Sequence, residues 1–227
     1  NYFYRASASD FKKIPGSPIA YWVSDKLRKA FTQFPVLNDV GDTRQGMATS
    51  DNDRFLRLWP EVSFSAIKFN AKNRLEAKNS SKAWVPYNKG GDFRKWWGNQ
   101  WHLLLWRNDG EEVIGYATKL YGSPTRTIKS LSEYFKPCSS WSKISSSDIA
   151  FRHYPRGFVF DVAGCCIFYK NQREMFSSLS FLNTKVSAQL LKRLLRLLIM
   201  KQDILLHYLS VEMKISISRR KHIAINL

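Results

Sequence analysis

Acidic residues are scarce in this 227-residue chain: 18 Asp and Glu stand against 36 Lys and Arg, a formal net charge of +18. Solubility alone asks for a net charge of magnitude about 2–8 on a small domain. The excess therefore points to a polyanionic partner such as a phosphate backbone, an acidic protein or an anionic membrane. Cysteine is scarcer still. Cys138, Cys165 and Cys166 are an odd set with no C-x-x-C pair, which excludes a disulfide framework and a zinc ribbon. Reduced, buried thiols in a cytoplasmic protein are the expectation. A secretory signal is missing, as is any apolar run of about 18 residues, the length a membrane span needs, so we expect no membrane partner. His102, His153, His207 and His222 lack metal-ligand spacing to Cys, Asp or Glu. Neither a G-x-S-x-G elbow nor a P-loop occurs. Catalytic and metal sites are thus expected to be absent from this chain.

What is present is a globular composition, 44% hydrophobic and 24% charged, with 15% aromatic residues including eight Trp. Its length suits one domain, or one domain with an appendage. The segment from Pro18 to Phe34 has helical spacing at Ile19, Trp22, Val23, Leu27, Ala30, Phe31 and Phe34, with Lys26 and Lys29 left to solvent. A short strand should follow Val36, then a polar loop at Thr49–Asp53, a strand over Arg54–Trp59, an exposed helix or loop over Lys68–Lys82 and a strand at Trp84–Tyr87. Gly110–Lys136 reads as connecting material, with turn signals at Asn108-Asp109-Gly110 and Gly122-Ser123-Pro124. Strand-like pieces come next at Trp141–Ser145, Ile149–His153, Gly157–Val162 and Cys165–Tyr169, with a turn at Tyr154–Gly157, and a helix is expected over Leu179–Leu191. The expected class is α+β: a mixed domain of short strands with flanking helices.

The richest binding signal is NKGGDFRKWWGNQ, Asn88 to Gln100, where cations, amides and flat rings interleave. Lys and Arg can neutralise phosphates, glycines let backbone N–H groups approach, and Asn or Gln can read adenine edges. At least one of Trp96, Trp97 and Trp101 is expected in the core. Thr43–Gly46 and Thr49–Arg54 are either part of the same surface or ordinary turn and cap residues. The hydroxyl cluster Ser145-Ser146-Ser147 beside Lys143 suits a helix cap or a phosphate better than a nucleophile.

Four blocks carry a family resemblance: DFKKIPGSPIAYWVSDKLRKAF, GDTRQGMATSDNDRFLRLW, WVPYNKGGDFRKWWGNQWHLLLWRNDG and WSKISSSDIAFRHYPRGFVFDVAGCCIF. In this order they resemble the C-terminal half of the PglX family, the adenine-specific DNA methyltransferases of BREX phage-defence systems. YNKGGDFRKWWGN is the most specific block. RQGMATSDNDRF is shared more loosely with other amino-adenine methyltransferases and with fused restriction enzymes, whose G-x-x-T-G-x-N-x-x-F loop lies near the start of the target-recognition region. Ser50 stands where that loop usually has glycine, and Cys165-Cys166 replace a small polar pair.

The resemblance implies a target-recognition region spanning residues 1–191, with the catalytic Rossmann-like domain elsewhere in the parent. The chain begins with Asn rather than Met, in keeping with a fragment or a processed end. The resemblance further implies double-stranded DNA as partner, other BREX proteins as possible associates, and S-adenosylmethionine as the parent's cofactor. This chain has no (D/N/S)-P-P-(Y/F) loop and no cofactor-binding glycine loop, so no cofactor is expected here. Candidate DNA-binding residues are Arg44, Gln45, Asn52, Arg54, Asn88, Lys89, Arg94, Lys95, Trp96, Asn99, Lys143, Ser145 and Arg152. The alternatives are the specificity region of a fused restriction endonuclease–methyltransferase and a basic RNA-binding protein.

After Leu191 the resemblance stops. Lys192 to Ser210 reads KRLLRLLIMKQDILLHYLS, where the family continues with a segment like LAPTLNYEAGHIASLP. One set of codons encodes KALAPTLNYEAGHIASLPV and, read one base later, this chain's segment residue for residue. Residues 192–227 are therefore expected to be an out-of-frame tail.

Overall fold

A computed structural model describes residues 5, 7–14, 21, 23–33, 37–143, 149–189 and 191. The expected tail at 192–227, the Pro18 helix start and Ser145 lie outside the described residues. The elements are helices α1 (Ala8–Lys12), α2 (Asp25–Gln33) and α3 (Leu37–Val40), strand β1 (Gly41–Arg44), helix α4 (Asn52–Phe55), strand β2 (Leu56–Leu58), helix α5 (Arg74–Asn79), strands β3 (Trp84–Asn88) and β4 (His102–Leu105), helix α6 (Arg107–Tyr121), strands β5 (Cys138–Ser142), β6 (Phe151–Tyr154), β7 (Val159–Phe160) and β8 (Gly164–Tyr169), and helix α7 (Gln172–Leu182). The fold is α+β. It divides into two compact units, one drawn from Asn1–Asp42 and Lys170–Leu227, the other from Thr43–Tyr169.

In the first unit, α2 buries Arg28, whose guanidinium pairs with Asp25 at 3.0 Å and Asp10 at 3.7 Å. A cation is tolerated there because its charge is met. Asn171 caps α7 by accepting the Glu174 N–H at 2.9 Å. α7 buries Met175, Leu179, Phe181 and Leu182.

The second unit holds two four-stranded sheets, ordered β1-β8-β5-β6 and β2-β4-β3-β7. β5 pairs antiparallel with β6 (Ser140 opposite Arg152) and with β8 (Ser140 opposite Cys166). β4 pairs antiparallel with β2 and β3, while β3 pairs parallel with β7, Tyr87 opposite Val159. One core joins both sheets to α6: Val85, Tyr87, Leu104, Trp106, Val113, Ala117, Tyr134, Phe160, Cys166 and Phe168 are among its members. Trp106, Tyr134 and Phe160 meet edge to face, with centroids 5.7 and 5.4 Å apart, contacts worth about 0.5–1.5 kcal/mol each beyond burial. Cys138, Cys165 and Cys166 are buried thiols outside any disulfide, and the Cys138 Sγ–H donates to Cys166 Sγ at 3.2 Å.

Several sequence expectations need correction. Arg54 and Phe55 belong to α4, not to a strand, because Asp51 accepts the Arg54 N–H at 3.0 Å and starts one helical turn. The connecting material after Gly110 contains α6. Its fully buried apolar side chains are Val113 and Ala117 alone, with Ile114 and Tyr116 partly buried beside them, a pattern too sparse for a periodicity reading. The turn signals around it do hold: Asn108, Asp109 and Gly110 all have positive φ, and Gly122 (φ 73) is the left-handed C-cap. Of the helix expected over Pro18–Phe34, the described residues show α2 from Asp25, while Tyr21, Val23 and Ser24 are not helical. The helix expected over Leu179–Leu191 is present but interrupted: α7 closes at Leu182, where the Asn183 side chain donates to the Leu179 carbonyl, and helix resumes over 185–189, with Leu191 buried and Val186 exposed.

Candidate nucleic-acid interface

Three segments of the second unit meet around a buried carboxylate. Asp161, 1% exposed, follows β7. Its Oδ2 accepts the Tyr87 hydroxyl at 2.7 Å and the Lys89 ammonium at 2.8 Å, and its Oδ1 accepts the Ala163 N–H at 2.7 Å. Burial, then the charge of Asp161, pushes the Tyr87 phenol well above its ordinary range, so it stays a proton donor. The Lys89 ammonium also reaches Asn52 Oδ1 at 3.2 Å, which in turn accepts the Thr49 hydroxyl at 2.6 Å. Two expected site residues, Asn52 and Lys89, are thus brought together. They border an open hollow of about 410 Å³ with Asp53, Leu56, Arg57, Leu58, Glu61 and His102. Burial, then Lys89, lowers the His102 pKa, so the imidazole is neutral near pH 7. Arg57, Glu61 and His102 were not among the expected site residues, and it is the pairing of β2 with β4, Leu58 opposite His102, that brings His102 to the hollow.

The second group is the loop Gly91–Trp101. Arg152, 1% exposed on β6, aims its guanidinium into this loop and donates to the carbonyls of Asp92 (3.4 Å) and Arg94 (3.5 Å) and to Ser142 Oγ (2.6 Å). The Ser142 hydroxyl donates to the Gly91 carbonyl at 2.6 Å. The Trp96 N–H donates to the Phe151 carbonyl, and the Trp96 carbonyl accepts the His153 N–H, so the loop is stitched to the β6 edge. Asn99 (φ 59) donates its side-chain N–H to the Asp92 carbonyl at 2.8 Å and closes the loop on itself. Above this base, Phe93, Trp96, Trp97 and Trp101 are 43, 51, 56 and 57% exposed. Arg94 is exposed, and Lys95 lies 6.0 Å over the Phe93 ring. The expectation of at least one core tryptophan among these fails; Trp106 and Trp141 fill that role.

Other candidates are placed differently. Asn88 is wholly buried: its amide donates to Ser140 Oγ (2.7 Å) and the Gly164 carbonyl (3.2 Å), and its Oδ1 accepts the Gly90 N–H (3.1 Å). It ties β3 to β5 and β8 and is not a surface reader. Arg152 is likewise internal. Arg54 stacks over Tyr116 at 5.3 Å and pairs with Glu112 at 3.7 Å. Arg44 and Lys143 are exposed, Gln45 half-buried. The glycines serve closeness within the protein. A Cβ on Gly90 (φ 82) would lie 2.9 Å from the Ala163 carbonyl oxygen, and one on Gly164 2.6 Å from that of Asn88. This turn is closed by contacts within the protein. Among the described residues no cluster of His, Cys, Asp and Glu could hold a metal, and no helix is long and apolar enough to cross a membrane.

The second unit thus carries an arginine-pinned loop tipped with exposed aromatic rings, and a hollow bordered by Asn52 and Lys89. Comparison with known proteins gives it a context. The chain is similar to adenine-specific methyltransferases: it is 38% identical over 196 residues to the adenine-specific methyltransferase PglX of Lacticaseibacillus casei (strain Zhang), and 36% identical over 190 residues to BrxX, likewise an adenine-specific methyltransferase, of Escherichia coli O9:H4 (strain HS). These matches take in 86 and 82% of this chain but span only 16 and 14% of the two relatives. No protein-family model matches.

Proposed function

We propose that this chain is the DNA-contacting specificity region of a site-specific N6-adenine DNA methyltransferase that serves phage defence. The similarity to PglX over 86% of the chain carries the reading. The +18 charge and the exposed basic–aromatic loop support it. Arg94, Lys95, Arg44 and Lys143 neutralise phosphates, while Asn52 and Lys89 at the hollow contact the groove. Methyl transfer and S-adenosylmethionine binding belong to parts of the parent outside this region, and assembly with other defence proteins is a property of that parent.

The test is binding of fluorescein-labelled duplex DNA over a salt series. Arg94→Ala with Lys95→Ala should weaken binding and shallow the salt slope by about 0.9 for each phosphate no longer neutralised, with Lys119→Ala on α6 as control. Unchanged affinity and slope would reject the assignment. On the same reading, residues 192–227 contribute nothing, being translated out of frame. The nucleotide sequence of the locus checks this: codons unable to yield P-T-L-N in the shifted frame would refute it.

A further inference from the structure

Resting on the DNA-binding reading, we infer that the Gly91–Trp101 loop is a stacking platform for unpaired nucleobases, with Trp96 and Trp97 taking base faces while Arg94 and Lys95 hold the flanking phosphates.

The first observation is the cost of placing Trp96. Its φ is 71, a left-handed conformation that a bulky side chain avoids. Two backbone hydrogen bonds to β6 enforce it, from the Trp96 N–H to the Phe151 carbonyl at 2.9 Å and from the His153 N–H to the Trp96 carbonyl at 2.8 Å. Strain of this kind is ordinarily offset by burying the side chain, yet half of the Trp96 residue remains in solvent. The fold holds this backbone so that the ring points outward.

The second observation is company. Phe93, Trp97 and Trp101 are also largely exposed, so four rings occur within nine residues of chain. Trp97 lies tilted against His153, with ring centroids 6.0 Å apart and planes at 44°, and still leaves more than half of its surface open. A protein-docking patch would be expected to exclude charge from its centre. Here Arg94 and Lys95 directly precede the two central tryptophans. Flat rings interleaved with cations match a nucleic-acid strand, whose bases offer π-faces and whose backbone offers negative charge.

The third is rigidity. The buried Arg152 guanidinium fixes the Asp92 and Arg94 carbonyls from below. The platform is therefore set before a ligand arrives, and little ordering entropy is lost on binding. Arg152 acts as a positioning residue and does not touch DNA.

Stacking in this manner requires a base that has left its pair. An adenine methyltransferase opens its duplex, since its target base must leave the stack, and this loop would hold an unstacked base or the strand facing the gap. The experiment uses the full chain with three fluorescein-labelled probes: single-stranded oligothymidylate of about 16 nucleotides, a paired duplex, and the same duplex with one abasic site. Wild type should bind the abasic duplex more tightly than the paired one. Trp96→Ala with Trp97→Ala should abolish that preference and weaken oligothymidylate binding about tenfold or more, with the salt slope unchanged. Trp96→Gly, which accepts positive φ without penalty, should lose affinity while remaining at least as stable thermally as Trp96→Ala, so a folding defect cannot mimic the result. Wild-type affinity and preference in the tryptophan variants would overturn the stacking role and leave DNA binding standing. Absence of binding to every probe by wild type would overturn both.

Discussion

Gly46 and Gly115 separate two uses of the same residue. A Cβ on Gly46 would sit 1.8 Å from the Phe160 carbonyl oxygen, a backbone atom that accepts the Met47 N–H and cannot move. Gly46→Ala should therefore abolish cooperative thermal unfolding, or lower stability by roughly 3 kcal/mol or more, the range of severe overpacking. A Cβ on Gly115, within α6, would meet nothing within 4 Å. Gly115→Ala should raise stability by about 0.5–1 kcal/mol. Ser50 is the converse case, a side chain where glycine would sit more easily. Its φ of 62 lies in the left-handed region that glycine enters without a Cβ penalty. Ser50→Gly should be stabilising by less than about 1 kcal/mol, since relief of left-handed strain is partly offset by a more flexible unfolded chain. Thermal or urea unfolding of the three variants reads all of these outcomes.

At the scale of elements, the Gly91–Trp101 loop depends on β6 for its shape. Arg152→Met should raise amide hydrogen exchange across residues 92–99, whereas Arg94→Ala, whose side chain is exposed, should not. Equal protection in both variants would show that the loop holds itself. This dependence also explains what was legible in the sequence. The cations and rings of NKGGDFRKWWGNQ marked an exposed basic–aromatic segment, and β3, the Asn108–Gly110 turn and the Gly122 cap followed from local chemistry. Which side chains face outward did not follow. Asn88 and Arg152 look like readers in a linear sequence, but pairing of β3 with β7 and of β5 with β6 and β8 turns them inward. The inward contacts of Asn88 with Ser140 and Gly164, and of Arg152 with Asp92 and Arg94, join residues more than fifty positions apart. α6 was missed because Val113 and Ala117 alone are its fully buried apolar side chains and Gly115 stands between them.

For the whole molecule, buried titrating groups set the pH window of stability. Tyr87, Tyr134 and Tyr154 are all raised above 10.0, chiefly by burial. Their native forms keep a proton that the unfolded chain releases once pH passes about 10. The native state then binds more protons, so their share of stability is full below about pH 10 and declines as pH rises. His102 and His153 are lowered from 6.5, again chiefly by burial. There the unfolded chain takes up protons first, and stability present above about pH 6.5 is lost as pH falls. Urea unfolding midpoints should hence form a plateau between about pH 6.5 and 8.5, fall below it, and fall above it as the unfolded chain releases first the Cys166 proton and then those of the phenols. A midpoint still rising above about pH 10 would contradict the burial of the three phenols.

The three cysteines supply a clock. Cys138, Cys165 and Cys166 are buried, and burial pushes the Cys166 thiol well above its ordinary range. Only thiolate reacts with a disulfide reagent. All three sulfurs lie out of a reagent's reach in the native fold, and each should react when the sheet of β5 and β8 opens. The rate at which a reagent such as dithionitrobenzoate colours a native sample measures how often that sheet opens. A loop variant with weakened DNA affinity and an unchanged rate has an altered binding surface on an intact fold.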